Sequence, residues 1–340
     1  MAKNINILFT CAGRRNYLIN YFKASLKGKG KVFAGDFRKD APSLIDADTG
    51  IVMPEIDDPT YIEFLKNICV TYSIDAVISL NDLELPILSA HKEELESLGL
   101  FVIISNEKVI DVSHDKWKTY NFLVENGFNT PATYINLDKV ITDLDSGKLN
   151  FPLVLKPRWG SGSINVNTVN SKEELLLVYK LQGIKLSRTI LKNVLPEYEN
   201  EAIVIQEKII GIEYGMDILN DFKGNYIGCY AREKLSMRSG ETDKAKSVII
   251  EGLTDVGEKL SLVLKHVGNL DCDFFIKNSK IYVLELNPRF GGGYPFSHEA
   301  GVNTASIYVE WIKGGENISK FINYKKNILH SKCDRLIKIK

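Results

Sequence analysis

The sequence predicts a chain in two parts, an α/β unit formed as a doubly wound parallel sheet and then an α+β module built on antiparallel hairpins. Three observations predict it. Between Asn6 and Ile104 short apolar runs alternate with amphipathic helical periods, the order expected of parallel βαβ units. After Phe151 strand-like runs dominate, and Asn220-Asp221-Phe222-Lys223-Gly224 reads as a hairpin turn between two of them. At 340 residues, the chain also exceeds one ordinary core.

In the first part, Asn6–Thr10 is a buried strand, and the loop Cys11-Ala12-Gly13-Arg14-Arg15 leads into a helix from Asn16 to Leu26. Lys31–Asp36 is the second strand, Tyr61–Tyr72 is helical in period, Ala76–Leu80 is the third strand and Phe101–Ile104 the fourth. Ligands of such sheets sit at the carboxyl ends of the strands. The candidates there are Gly13, Arg14 and Arg15, then Asp36, then Asn81, Asp82 and Glu84. The G-x-G-x-x-G fingerprint is absent, so a dinucleotide is poorly supported. Arg14 and Arg15 read either as solvated charges or as an anion site, because cations are unfavourable at the positive end of a helix dipole.

Asp115-Lys116 precedes a helical pattern from Trp117 to Glu125 that stops at Asn126-Gly127. Residues 137–150 are polar, as in a surface helix and loop. Strands are expected at Phe151–Lys156, Ala202–Gln206, Tyr214–Leu219, Asn225–Ala231, Ser247–Glu251, Cys272–Ile276 and Lys280–Leu286. Helices are expected at Lys172–Leu181, Val256–Val267 and Thr304–Trp311. From Ile318 onward the chain is Lys-rich, either a solvated end or a docking segment.

Composition narrows the function classes. Lys plus Arg equals Asp plus Glu at 43 each, so no overall basic field recommends a nucleic-acid partner. No apolar run approaches the ~20 residues that span a bilayer, and the polar start after Met1 lacks the features of a secretory signal. Cys11, Cys69, Cys229, Cys272 and Cys333 are scattered with no metal-binding spacing and read as reduced thiols. The cytoplasm is the expected compartment.

Two segments carry chemistry. Val283-Leu284-Glu285-Leu286-Asn287-Pro288-Arg289, with Asp273 upstream, sets oxygen ligands suited to Mg²⁺ beside a guanidinium. Alone, it also fits a strand end, an Asn-Pro turn and an exposed Arg. Phe151–Ser163 joins a strand with a terminal Lys156 to a loop of small residues. A buried Lys needs an anion, and small residues let backbone N–H groups approach phosphate oxygens. It is no Walker loop, since the Lys precedes the glycines.

With these residues in this order the chain resembles the ATP-grasp superfamily over roughly residues 1–315. The resemblance implies ATP with Mg²⁺ (Mn²⁺ as an alternative) as cofactors. It makes Lys116 and Lys156 the nucleotide lysines, Gly160, Ser161, Gly162 and Ser163 a glycine-rich lid, and Gln206, Glu207 and Ile209 the adenine hinge. Glu213 would hold the ribose, Asp273, Glu285 and Asn287 the metal, and Arg289 the activated carboxylate. It also implies a pre-ATP-grasp domain at 1–110, two α+β subdomains at 111–200 and 201–325, and a basic tail at 326–340.

Thr10–Arg15, Asn81–Leu85, Met237–Thr242 and Asn287–Gly293 bring the chain closest to single-module relatives of the carbamoyl-phosphate synthase large subunit. It departs from that enzyme in having one module, no glutaminase segment, Asp273 in place of Gln and Arg238 in place of His. The resemblance implies an ADP-forming carboxylate–amine ligase that works through an acyl phosphate on a small carboxylic acid or amino acid, with Arg289, Arg238 and Lys156 as catalytic residues. Bicarbonate activation is the alternative, and an ATP-binding regulatory module without turnover is an alternative of another class. The expected partners are small carboxylate and amine substrates, with neither nucleic acid nor membrane, and a homodimer is the oligomer to test first. Arg232, Lys234 and Arg238 form a basic run that reads equally as an exposed hairpin edge or as part of the acid site. His298 reads as structural or as a substrate contact.

Overall fold

The computed structural model describes residues 4–160, 162, 165–188 and 201–339. Its first sheet comprises β1 (Ile5–Thr10), β2 (Gly30–Asp36), β3 (Thr49–Val52), β4 (Ala76–Ser79) and β5 (Phe101–Val102). All pairings are parallel, in the order β3-β2-β1-β4-β5. The doubly wound expectation holds because β1, β2 and β4 are apolar on both faces and must be covered by helices on both sides. The helix Asn16–Leu26 covers one side with Leu18, Ile19, Phe22 and Leu26, and the helix Tyr61–Thr71 the other with Tyr61, Leu65 and Ile68. Strand β3 and the short helix Pro42–Asp46 were not anticipated, since β3 is a half-exposed edge of four residues with little apolar signal. The strand expected at 101–104 shortens to two residues.

Beyond residue 110 come β6 (Thr133–Tyr134), β7 (Leu153–Pro157), β8 (Asn167–Val169), β9 (Ile203–Glu207), β10 (Ile212–Asn220), β11 (Tyr226–Arg238), β12 (Glu241–Val248), β13 (Asn269–Lys277), β14 (Lys280–Asn287) and β15 (Leu329–Ser331). Among the described residues they form a four-stranded sheet, β6-β9-β7-β8, and a six-stranded sheet, β14-β13-β10-β11-β12-β15. Every pairing in both is antiparallel. The strand expected at 225–231 runs on to Arg238, and the one expected at 247–251 begins instead at Glu241. The reason is a tight turn at Ser239-Gly240, both at positive φ, that folds β12 directly back on β11. The Lys-rich end also differs from a purely solvated tail, because Leu329–Ser331 pairs with Lys244–Lys246 as β15.

The two parts share a core. Phe9 and Phe22 meet edge to face at 4.9 Å, Phe290 meets Tyr294 at 4.8 Å, and Tyr308 contacts Phe22 and Phe290. Phe290 is fully buried, and burying such a ring contributes roughly 1.5–3 kcal/mol. It thereby anchors the loop after β14, where Arg289 stands, against the parallel domain. No helix among the described residues is long and apolar enough to cross a membrane.

Candidate active site

The end of the site that holds Lys116 and Lys156 is set by a buried ion pair. Asp115 caps the helix Lys116–Glu125 by accepting from the Trp117 and Lys118 amides, and it also accepts from Arg158 at 2.8 Å. Arg158 follows β7, so the pair ties the start of the Lys116 helix to the strand bearing Lys156. The Lys116 ammonium then donates to the Gly160 carbonyl and lies 3.7 Å from Glu285. Lys156 is buried, and burial pushes its pKa down to about 8. A lysine in that state recovers its charge when an anion binds beside it.

A charged strip crosses the six-stranded sheet. Asp273 faces Glu285 in the β13–β14 register, and Asn287 follows two residues later at the end of β14. Lys234 on β11 bridges Glu213, at 2.8 Å, and Asp273, at 2.7 Å. Burial opposes the charge on Lys234, but the two carboxylates outweigh it and raise the pKa. The donors Glu285, Asn287 and Asp273 are all oxygens, as a hard cation requires. Among the described residues no three His, Cys, Asp or Glu side chains converge on one point. A Mg²⁺ here therefore fits as an ion that takes one or two carboxylates and completes its shell with phosphate oxygens and water.

The opposite end of the strip is a network of arginines and acids. Arg232 is fully buried and donates to Asp217 at 2.6 Å and to Asp271 at 2.7 Å. The Arg289 side chain, 7% exposed, donates to Asp82 of the parallel domain at 2.7 Å and lies 3.7 Å from Asp271. Burial works against its charge, yet Asp82 and Asp271 raise its pKa, so it stays protonated. Its Nε has no hydrogen-bond partner among the described residues. Such a buried, unpartnered N–H is costly unless an acceptor arrives. The loop beneath needs glycine, since a Cβ on Gly293 would lie 2.1 Å from the Arg232 guanidinium.

One cavity of about 1030 Å³ joins these ends. It is at the upper limit of small-molecule sites, roughly 300–1,000 Å³. Lys116, Lys156, Gly160, Gly162, Gln206, Glu207, Ile209, Glu213, Asp273, Glu285, Asn287 and Arg289 all line it. Ser161 and Ser163 lie outside the described residues. Arg238 is corrected: it is exposed and pairs with Asp243 at 2.9 Å and Asp334 at 2.6 Å, while its neighbour Met237 faces the cavity. The cause is the irregular β11–β12 register around Ser236 and Met237, which breaks the alternation that would have set Arg238 beside Arg232 and Lys234. His298 stacks on Tyr21 and bonds Tyr294, with burial pushing its pKa down to about 4, and so has a packing role.

Residues 113–293 match the ATP-grasp domain family, more than half of the chain, and residues 7–103 match the PylC-like N-terminal domain family. The chain belongs to the ATP-grasp family. ATP with Mg²⁺ is the cofactor pair of ATP-grasp ligases, and the site just described fits it. Among curated relatives, the carbamoyl phosphate synthase large chain of Campylobacter jejuni is 22% identical over 271 residues, 73% of this chain and 23% of that one. The arginine-specific large chain of Bacillus subtilis is 23% identical over 256 residues, with the same shares. The chain thus spans about a quarter of the length of the curated relatives it matches. Solved ATP-grasp structures share the fold. Biotin carboxylase from Campylobacter jejuni superposes with a TM-score of 0.70 at 15% identity, covering 93% of this chain and 72% of that one. The L-amino acid ligase of Bacillus licheniformis gives 0.65 at 20% identity, covering 94% and 77%.

Several residues of this ATP-grasp site did not stand among the sequence candidates. Asp271 and Glu241 line the cavity, and neither had a signal in the sequence beyond belonging to a motif-bearing segment. Of the residues with two open readings, Arg15, Arg232 and Lys234 line the cavity. Arg14, by contrast, is solvent-exposed beside Asp334. Asn81 lines the cavity, whereas Asp82 serves it by holding Arg289.

Proposed function

We propose that the protein is an ATP-dependent carboxylate–amine ligase acting on a small carboxylic acid or amino acid. The observation that carries this reading is Arg289: a buried guanidinium with an unpartnered Nε, in the same cavity as two lysines and an acidic strip. Residues 206–209 would receive the adenine and Glu213 the ribose hydroxyls. Lys116 and Lys156 would bind the phosphates from two sides, neutralising charge that accumulates as the terminal phosphoryl group moves. Glu285, Asn287 and Asp273 would hold Mg²⁺, whose chemistry there would be added positive charge beside the phosphate oxygens.

Arg289 would hold the substrate carboxylate through the direction its Nε leaves open, with Asp82 and Asp271 fixing the guanidinium plane. A carboxylate oxygen forms the new bond to the γ-phosphorus as the bond to the bridging β,γ-oxygen breaks, giving ADP and an acyl phosphate. The amine then attacks the acyl carbon, phosphate leaves, and the amine's proton passes to solvent. Gly160 and Gly162 line the cavity beside Lys116, and closure there would keep water from the mixed anhydride.

The test is ADP release from Mg·ATP with separate pools of amino acids, small carboxylic acids and bicarbonate, followed by mass spectrometry of the products. A new amide supports the reading. Dependence on bicarbonate alone would move the function to carboxyphosphate formation, the alternative suggested by the carbamoyl phosphate synthase relatives. Nucleotide binding without turnover in every pool would leave a regulatory module.

A further inference from the structure

The C-terminal segment reaches farther into the molecule than a sixth strand requires. β15 is held by backbone bonds to β12, and the Lys332 amide adds another to the Asp243 carbonyl at 2.8 Å. Beyond the strand, Lys332 donates to Glu241 at 3.0 Å, and its ammonium lies 5.8 Å from the Tyr17 ring centre. Asp334 accepts from Arg238 at 2.6 Å, and Arg335 donates to Asp46 of the parallel domain. The segment therefore straps the β11–β12 hairpin to the first domain.

That hairpin carries two parts of the cavity. Glu241, its first residue after the turn, lines the arginine end, where Arg15 lies 3.6 Å away on the other side of the carboxylate. Gly292 runs directly beneath, and a Cβ there would lie 2.7 Å from the Glu241 carboxyl carbon. At the tip, Gly240 at φ 79° sits so close to the glycine-rich loop that a Cβ would lie 2.3 Å from the Gly162 carbonyl. One hairpin thus touches the lid and the wall beside Arg289. The Lys332 side chain is 21% exposed, against 61% for Arg335 and 67% for Asp334. Glu241 itself is 42% exposed, so what sets this contact apart is its geometry: Lys332 leaves a strand fixed by backbone bonds, and Lys332 and Arg15 hold the two oxygens of one carboxylate.

We propose that Lys332 is a positioning residue of the acid-binding end: with Arg15 it clamps Glu241, and through the hairpin it sets the wall that faces the substrate carboxylate. The proposal rests on the ligase reading for its substrate, but the clamp itself does not. Two measurements on the full chain separate the two, using Lys332→Ala and Lys332→Arg. Amide hydrogen exchange at residues 239–242, with Mg·ADP present, should rise roughly fivefold in the Ala variant and return to parental rates in the Arg variant. In ADP-release assays with a pool of the standard L-amino acids, half-saturation for the pool should rise roughly fivefold in the Ala variant while that for ATP stays unchanged, with rescue by Arg. Unchanged exchange in the Ala variant overturns the clamp. An equal rise in both half-saturation values also overturns it, because that is the mark of general destabilisation. If the parent turns over no amino acid, the same half-saturation measurement is made with the small-carboxylic-acid pool; if it turns over neither, the ligase reading fails and the exchange measurement alone decides the clamp.

Discussion

The parallel sheet and the six-stranded antiparallel sheet serve the same cavity by different means. From the parallel domain Arg15, Asn81 and Leu83 line the cavity and Asp82 reaches Arg289, all of them from loops beyond strand ends. From the antiparallel sheet the strands themselves supply Glu213, Arg232, Lys234, Asp271, Asp273, Glu285 and Asn287. The difference follows from what covers each sheet. Strands packed between two helical layers have no face to spare for charge, whereas an antiparallel strand alternates and can turn one face to a core and the other to a cleft. β10 and β13 show it: Met216, Ile218, Cys272 and Phe274 pack in one apolar cluster while Asp217, Asp271 and Asp273 face the other way. Charge paired inside the sheet, as at Arg232, is thus tied to fold stability, whereas charge on a loop or facing the open cavity is separable from it.

The largest test of that contrast is Arg232→Ala, which strands Asp217 and Asp271 in the interior. Denaturant unfolding should show a loss of about 3–5 kcal/mol, together with loss of turnover; a loss below ~1 kcal/mol would break the link between strand charge and stability.

Next in size are Lys156→Ala and Glu285→Gln, whose neighbours can rehydrate through the open cavity. Turnover should fall roughly a hundredfold to a thousandfold with the melting temperature nearly unchanged. Full activity in both would refute the assignment of the phosphate end.

For the loops, Asp82→Asn should loosen Arg289 without disturbing any sheet. Turnover is expected to drop roughly tenfold while stability holds. A large stability loss with normal turnover would reverse the contrast.

The smallest effect is a titration. Lys156 has its pKa lowered from 10.5 to about 8, chiefly by burial, so affinity for Mg·ADP should be flat at lower pH and weaken as pH rises through about 8. Stability carries the opposite sign, because between those values the unfolded chain binds the proton the folded chain has released, and folding therefore gains as pH rises. Calorimetric titration across this window, with Lys156→Met as the control lacking the slope, checks the assignment. A pH-independent affinity in the parent would show that Lys156 does not meet the phosphates.

Much of this was legible in the chain. The strands of the parallel domain announce themselves as continuous apolar runs, and the Lys156 strand, the Gln206–Glu213 segment and Glu285-x-Asn287-Pro288-Arg289 are short local motifs whose order is informative. β3 escaped because a short half-exposed edge has almost no hydrophobic period. Arg238 was assigned from the family resemblance and from its place in a basic run, and neither reveals that the β11–β12 register slips near Ser236. The end of the tail looked solvated because Lys332, Asp334 and Arg335 find their partners at Glu241, Arg238 and Asp46, far away in sequence.

The sequence by itself determined the fold class, the order of the elements and the residue types at the cavity, since these follow from local periodicity and from motifs a few residues long. Tertiary structure alone decided which charges are buried and paired. Arg232 became internal because Asp217 and Asp271 flank it on neighbouring strands, Arg289 was oriented by Asp82 from the other domain, and Lys332 reached Glu241 through an added strand. A buried side chain keeps its full charge at tolerable cost where an opposite charge meets it at about 3 Å, and no reading of one segment at a time reveals which distant segment brings that partner.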